Sequence, residues 1–323
     1  MLPRPVDPGP RRRPPIVCPI VSRRLLTALL LALALVLVGA AVGLLLVDDR
    51  PWWSAVAGGG VGALVAGPPA FVLGRRTTRL TGGAHAQAVS GLPLVAHVPP
   101  PGSDAADARR ADEAFRMLRA ALVPAPGPDD APGLVVVVTS AAPGEGKTTV
   151  AAGLARALAR AGRPVVAVET DLRRPALSGA LGVPGNPARG LTAAIVGGVP
   201  VADLLIEVEA GLRLLPAGEL PPNAPELLGS PDAARVLREL SASGVDVVLD
   251  TAPLLPVADT RELLAHPIGR RTVLVSRPGV SDSDELRAAV ALLPDGSGAV
   301  LAVSGRAHAP RSYDAYLRDG ARV

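Results

Sequence analysis

Four valines run into a glycine-bearing turn and then into an alanine-rich stretch: residues 135–160 read VVVVTSAAPGEGKTTVAAGLARALAR. The β-branched run favours a strand, and the Ala, Leu and Arg stretch after the turn favours a helix, here expected over Thr148–Arg160. A strand entering a glycine turn at a helix N-terminus is the context in which a loop of the form GxxxxGK[ST] holds phosphate. Backbone N–H groups of Gly144, Glu145 and Gly146 can surround an anion, because glycine permits the dihedrals such a turn needs. Lys147 would reach the β- and γ-phosphates as a point charge, and the Thr148 hydroxyl would face Mg²⁺. The expected nucleotide contacts are therefore Ala142, Pro143, Gly144, Glu145, Gly146, Lys147, Thr148 and Thr149. Ala141 stands where the usual pattern opens with glycine. Lys147 is also the only lysine in a chain with 33 Lys+Arg, so it sits where arginine cannot serve.

Further branched-apolar runs follow, PVVAVE, DVVLD, RTVLVS and AVLAVS, separated by helical stretches. Continuous apolar strands alternating with helices imply a parallel sheet covered on both faces. The expected fold is α/β: a mostly parallel sheet of the P-loop NTPase type, helices on both faces, preceded by a two-helix transmembrane hairpin. In an open α/β sheet the carboxyl ends of strands line the ligand crevice. PVVAVETDLRRP ends a strand with Glu169 and Asp171, and DVVLDTAP ends another with Asp250. With Lys147 these three acids form the expected catalytic set, and Thr148, Asp171 and Asp250 are the expected Mg²⁺ ligands.

The hairpin rests on residues 25–47, 23 uncharged residues that are mostly leucine, valine and alanine, long enough to cross a hydrocarbon core. A second uncharged stretch, 52–73, is weaker, being glycine-rich with Pro68 and Pro69 near its end. Arg11, Arg12, Arg13, Arg23 and Arg24 precede the first stretch, and Arg75, Arg76 and Arg79 follow the second. Asp48 and Asp49 lie between them, and Trp52 and Trp53 suit an interfacial belt, so both chain ends are expected on the cytoplasmic side of an inner or plasma membrane. A secretory signal would instead place a nucleotide loop outside the cell, where ATP is scarce. The first 80 residues carry ten arginines against three aspartates, and the remaining 243 are net acidic. The overall charge of +4 thus gives no support to nucleic-acid binding by the main domain. Cys18 alone cannot make an internal disulfide framework or a cysteine-based zinc site. The expected division is a Pro/Arg-rich N-terminus (1–24), the hairpin (25–74), a juxtamembrane linker (75–103), the P-loop domain (104–310) and a tail (311–323).

Taken together, these stretches resemble the bacterial tyrosine autokinases (BY-kinases) of capsule and exopolysaccharide production, from about Ser90 to the C-terminus. SGLPLVAHVP resembles that family's post-membrane segment, and EAFRMLR matches its E-x-x-R-x-x-R oligomerisation motif through Glu113, Arg116 and Arg119. TSAAPGEGKTT resembles its Walker A, VVAVETDLRRP its additional acidic Walker A′, VVLDTAPLLPVAD its Walker B, and PPNAPELL a further family stretch. Tyr313 and Tyr316, the only tyrosines, stand where the family carries its C-terminal tyrosine cluster. The resemblance implies transfer of a phosphoryl group from ATP·Mg²⁺ to the tail tyrosines of a neighbouring subunit in a homo-oligomeric ring. Either Glu169 or Asp171 would accept the phenolic proton. Two phosphates near metal-binding carboxylates would expel the tail and loosen the ring. A separate membrane polysaccharide co-polymerase and a phosphotyrosine phosphatase are the expected partners. The chain departs from the family pattern in having Glu169 for the first Walker A′ aspartate and Ala302 for an asparagine near the base. Fused family members carry an external domain between their spans, where this chain has only the short turn DDRP. Two other functions fit the same loop. One is a nucleotide-switched ATPase like those of partition and division-site placement, which usually carry a further lysine where this chain has Ala142. The other is a weakly catalytic ring-forming membrane adaptor.

Overall fold

The structure, a computed structural model, describes residues 79–100, 105–123, 133–242, 244–267 and 270–305, all within one unit, Thr77–Val323. The two expected membrane spans and both tail tyrosines lie outside the described residues. Among the described residues no helix is long and apolar enough to cross a membrane.

One eight-stranded sheet organises the chain, in the order β1-β8-β7-β2-β6-β3-β5-β4. Its centre is built from β2 (Val135–Ser140), β3 (Val165–Glu169), β6 (Asp246–Asp250) and β7 (Arg271–Ser276), with β8 (Val300–Ser304) beside β7. Almost every residue in these strands is buried, as expected for branched-apolar runs covered on both faces. Alternation along β2 divides the interior in two. Val135 and Val137 join one core with Leu249, Leu274 and Leu301, whereas Val136 and Val138 join the other with Val248, Val273 and Val275.

The second core is roofed by α2 (Ala105–Leu122) and α3 (Lys147–Ala159). Phe115, Leu118 and Leu122 do point inward together, as their spacing predicts. The two helices meet at Gly153, where an added Cβ would lie 2.0 Å from the Phe115 ring, so only glycine permits this approach. The first core lies under α5 (Leu191–Val196), α7 (Pro231–Ala242), α8 (Asp259–Ala265) and α9 (Ser283–Ala291).

Two stretches depart from the sequence reading. Residues 75–103 were expected to link domains, but Gly83–Ser90 forms helix α1 and Leu94–Val98 forms β1, paired in parallel with β8 at the sheet edge. The short apolar island is thus a strand, and the domain begins before residue 104. The second is a hairpin, β4 (Ile206–Glu209) with β5 (Leu212–Leu215), the one antiparallel pair among the named strands. Short α4 (Leu177–Ala180) and α6 (Ala224–Leu228) complete the elements used below.

The chain leaves β2 toward β3 on one side and later returns to β7 and β8 on the other. The strand order therefore reverses at β2, and the crevice beyond its carboxyl end is where such sheets take ligands.

Candidate nucleotide site

The loop Ala141–Gly146 connects β2 to α3 at that reversal point. Gly144 and Gly146 have φ of 81° and 94°, values that favour glycine. Gly146 caps α3, and a Cβ there would lie 2.6 Å from Ser304 Oγ, so the end of β8 presses on the loop. Ser140 Oγ donates to the Ala142 carbonyl (2.8 Å), and Ser304 Oγ donates to that of Glu145 (2.5 Å). The Glu145 side chain folds back, its Oε2 accepting from the Ala142 amide (2.9 Å).

Lys147 opens α3, and its Nζ lies 3.0 Å from Asp171 Oδ2. The two side chains are 15% and 4% exposed, so the pair is shielded more than a surface ion pair. Asp171 Oδ1 accepts from the amides of Arg174 (3.0 Å) and Arg173 (3.3 Å), which fixes the carboxylate on the turn after β3. Arg173 in turn holds the buried Asp259 at the start of α8, with Nε to Oδ2 at 2.9 Å. Sequence reasoning missed this bridge, which spans 86 residues and has no local pattern.

Asp250 ends β6 beside β2, in register with Val138 on one side and Glu169 on the other. It is fully buried, and neither carboxylate oxygen has a partner at full hydrogen-bonding geometry. Burial pushes its carboxyl up to about 7, opposed by the Lys147 charge and the nearby Thr148 hydroxyl. A buried carboxylate with no donor beyond the nearby Thr148 hydroxyl fits a cation, since poorly paired buried charge is otherwise costly. Asp250 and the Thr148 hydroxyl would hold Mg²⁺, which would neutralise charge on phosphate oxygens when bound. Asp171, the third expected ligand, meets Lys147 through Oδ2 and the two backbone amides through Oδ1, which leaves one lone pair on Oδ2.

Glu169 has a different environment. Its Oε1 accepts from the amides of Leu177 (2.6 Å) and Ser178 (3.2 Å). Its Oε2 accepts from Ser178 Oγ (2.7 Å) and the Ala217 amide (3.2 Å). Four donors fill the lone pairs of a fully buried carboxylate, leaving none for a phenolic proton. The glutamate ties β3 to the start of α4 and to the stretch after β5. Glu169→Ala is expected to lower stability by on the order of 3 kcal/mol, because several buried donors lose their acceptor. Urea unfolding measures this. Unchanged stability with lost phosphotransfer would instead return Glu169 to the role of proton acceptor.

The oligomerisation motif lies on α2. Arg116 Nη1 pairs with Glu113 Oε2 within the helix (3.0 Å), while Arg119 Nη1 reaches the Ala157 carbonyl at the end of α3 (3.4 Å). Arg116 and Arg119 border a groove of about 410 Å³ between α2 and α3, also lined by Phe115, Arg156 and Arg160. Glu113 and Arg116 thus stand on the surface, and Arg119 also braces the helix pair. Ala302 is buried in β8 among the residues packed on α3.

Residues 136–293 match the family described as the CobQ/CobB/MinD/ParA nucleotide binding domain. The chain is 34% identical over 151 residues to the tyrosine-protein kinase YwqD of Bacillus subtilis, covering 46% of this chain and 62% of that protein. It is 33% identical over 202 residues to the putative tyrosine-protein kinase EpsB of Ralstonia solanacearum, covering 62% of this chain but 26% of the relative. The match therefore spans less than two thirds of either relative. Among solved structures, the chimerical protein CapA2B2 superposes with a TM-score of 0.60 at 28% identity, over 69% of this chain and 99% of that one. Sheet order, loop geometry and these likenesses agree on the fold: a mostly parallel α/β sheet of the P-loop NTPase type with helices on both faces, similar over residues 136–293 to the CobQ/CobB/MinD/ParA nucleotide binding domain.

Proposed function

We propose that the chain is a membrane-anchored protein-tyrosine autokinase that transfers the γ-phosphoryl group of ATP to its own tail tyrosines, Tyr313 and Tyr316, and so regulates capsule or exopolysaccharide assembly. The observation that carries this reading is the juxtaposition at one crevice of the Lys147–Asp171 pair and the buried Asp250, with β8, after which the tail begins, ending against the loop. The similarity to proteins named tyrosine-protein kinases supports the same reaction class.

In this reading the loop amides and Lys147 hold the β- and γ-phosphates and stabilise the charge that develops there. Asp171 is the proton acceptor, since Glu169 has no lone pair to offer and Asp171 Oδ2 has one beside its bond to Lys147. The phenolic proton passes to Asp171 as the tyrosine oxygen bonds to the γ-phosphorus. The bond from that phosphorus to the β–γ bridging oxygen breaks, and ADP leaves. Positioning supplies most of the acceleration, because phosphoryl transfer asks the protein for little covalent chemistry.

The acceptor tail belongs to a neighbouring subunit in a homo-oligomeric ring joined through Glu113, Arg116 and Arg119. The hairpin at 25–47 and 52–73 places both ends in the cytoplasm. A separate polysaccharide co-polymerase supplies the external part, and a phosphotyrosine phosphatase resets the tail.

Incubating the full chain with ATP and Mg²⁺ and mapping phosphate by mass spectrometry tests this directly. Modification is expected at Tyr313 and Tyr316. ATP hydrolysis without tyrosine phosphate would favour the nucleotide-switch reading instead.

A further inference from the structure

The turn after β7 holds the phosphate loop from one side and is itself held from the other. Toward the loop, Arg277 Nη1 donates to the Gly144 carbonyl (3.3 Å), and Ser281 Oγ donates to Glu145 Oε1. Within the turn, the Arg277 amide donates to Ser281 Oγ (2.7 Å), and the Ser281 amide donates to the Arg277 carbonyl (2.8 Å). From outside, the Leu80 amide donates to the Ser281 carbonyl (2.9 Å), the Gly279 amide donates to the Leu80 carbonyl (2.8 Å), and Arg79 Nη1 reaches the Gly279 carbonyl (2.8 Å). The Leu80 side chain is buried in the first core, so this strap has an apolar anchor.

Glu145 is the point where these contacts meet the loop. Its backbone carbonyl accepts from Ser304, one carboxylate oxygen from the Ala142 amide and the other from Ser281. A carboxylate in the middle of a phosphate-binding loop would repel its ligand if it faced the crevice. Here the side chain is buried and bonded back on the loop and the turn. Burial pushes this carboxyl up, with the Ala142 and Ser281 bonds opposing the rise.

We propose that Ser281 is a positioning residue for nucleotide binding: through Glu145 it holds the curvature that aims the Gly144–Gly146 amides at one phosphate, and Arg79 and Leu80 hold Ser281. The inference rests on the nucleotide-binding reading of the loop. A loop of small residues with two glycines at positive φ has little shape of its own. Amides held in place bind an anion without an ordering cost, whereas a released loop must be ordered by the ligand. Arg79, Leu80 and the phosphate loop thus share one hydrogen-bonded turn.

The test measures binding of a fluorescent ATP analogue to the full chain, with melting temperature and phosphotransfer rate recorded in parallel. Wild-type protein comes first. If it takes up no nucleotide, the nucleotide reading of the loop falls, and this proposal with it. If it binds, Ser281→Ala is expected to raise Kd about tenfold, the loss typical of a buried group deprived of its donor. KM for ATP should rise in step, while kcat at saturation changes less than twofold. Arg79→Ala, an exposed change, is expected to raise Kd by about twofold to threefold. The control is Arg163→Ala, which breaks the ion pair with Asp246 at the opposite end of the sheet and should cost stability without changing affinity. Wild-type affinity in Ser281→Ala would overturn the proposal. So would an equal affinity loss in an Arg163 variant with the same drop in melting temperature.

Discussion

Lys147→Met lowers tyrosine phosphorylation of the tail by about 10²–10³-fold or more, the range seen when one preorganised donor is removed from a charge-developing centre. The chain has no second lysine to substitute, and the arginine whose side chain reaches the loop, Arg277, donates to the carbonyl of Gly144. Methionine is close to lysine in length and tolerates the partly buried site, so the change removes charge more than volume. It also strips Asp171 of its ammonium partner while leaving the two amides on Oδ1. A modest drop in melting temperature is therefore expected alongside the loss of activity, and Lys147→Met/Asp171→Asn should recover the stability but none of the activity. Nucleotide titration and phosphate mapping on the same samples check both halves. Tail phosphorylation that persists in the single variant would remove the loop from the active site.

Central strands were easy to read and edge strands were not, for a physical reason. β2, β3, β6 and β7 are covered on both faces and spell continuous apolar runs, whatever lies around them. The edge strand β4 (IEVE) and its neighbour β5 (LRLL) are four-residue strands broken by charged residues, with Glu207 and Arg213 exposed, and β1 is a five-residue edge strand that reads as an apolar island in a linker. The same limit applied at the site. That Lys147 and Asp250 lie at one crevice could be read because loop and strand end are contiguous in sequence. The surroundings of Glu169 could not, because an acid at a strand end reads the same whether it faces the crevice or ties down the next helix. Only the donors on Leu177, Ser178 and Ala217, up to 48 residues away, decide between the two. The Arg173–Asp259 and Glu145–Ser281 contacts join residues 86 and 136 positions apart, and folding alone brings them together.

The residue with the least satisfied environment carries the second large effect. Asp250→Asn is expected to make the nucleotide-free protein more stable at pH 8 while abolishing phosphotransfer. The carboxyl is raised from 3.8 to about 7 by burial, so the folded state favours its protonated form. The sign follows from linkage: this group contributes most to stability below the unfolded value, and the contribution is lost as pH rises from about 4 through 7. Above 7 the folded protein carries a buried, poorly paired carboxylate, at a cost of up to about 4 kcal/mol by the size of the shift. An asparagine carries no charge at any pH, so its advantage should be large at pH 8 and nearly absent at pH 4 to 5. For a domain of this size the gain corresponds to a rise of roughly 5–10 °C in melting temperature. Activity follows the opposite course, because the charged form that destabilises the fold is the form that binds a cation. Stabilisation of wild-type protein by Mg²⁺·ADP should accordingly grow as pH rises through 7, and the variant should show none of that growth. Thermal melts at pH 5 and 8, with and without Mg²⁺·ADP, separate these terms. A variant less stable than wild type at pH 8 would mean that the contacts of Asp250 in the folded protein outweigh the cost of its buried charge.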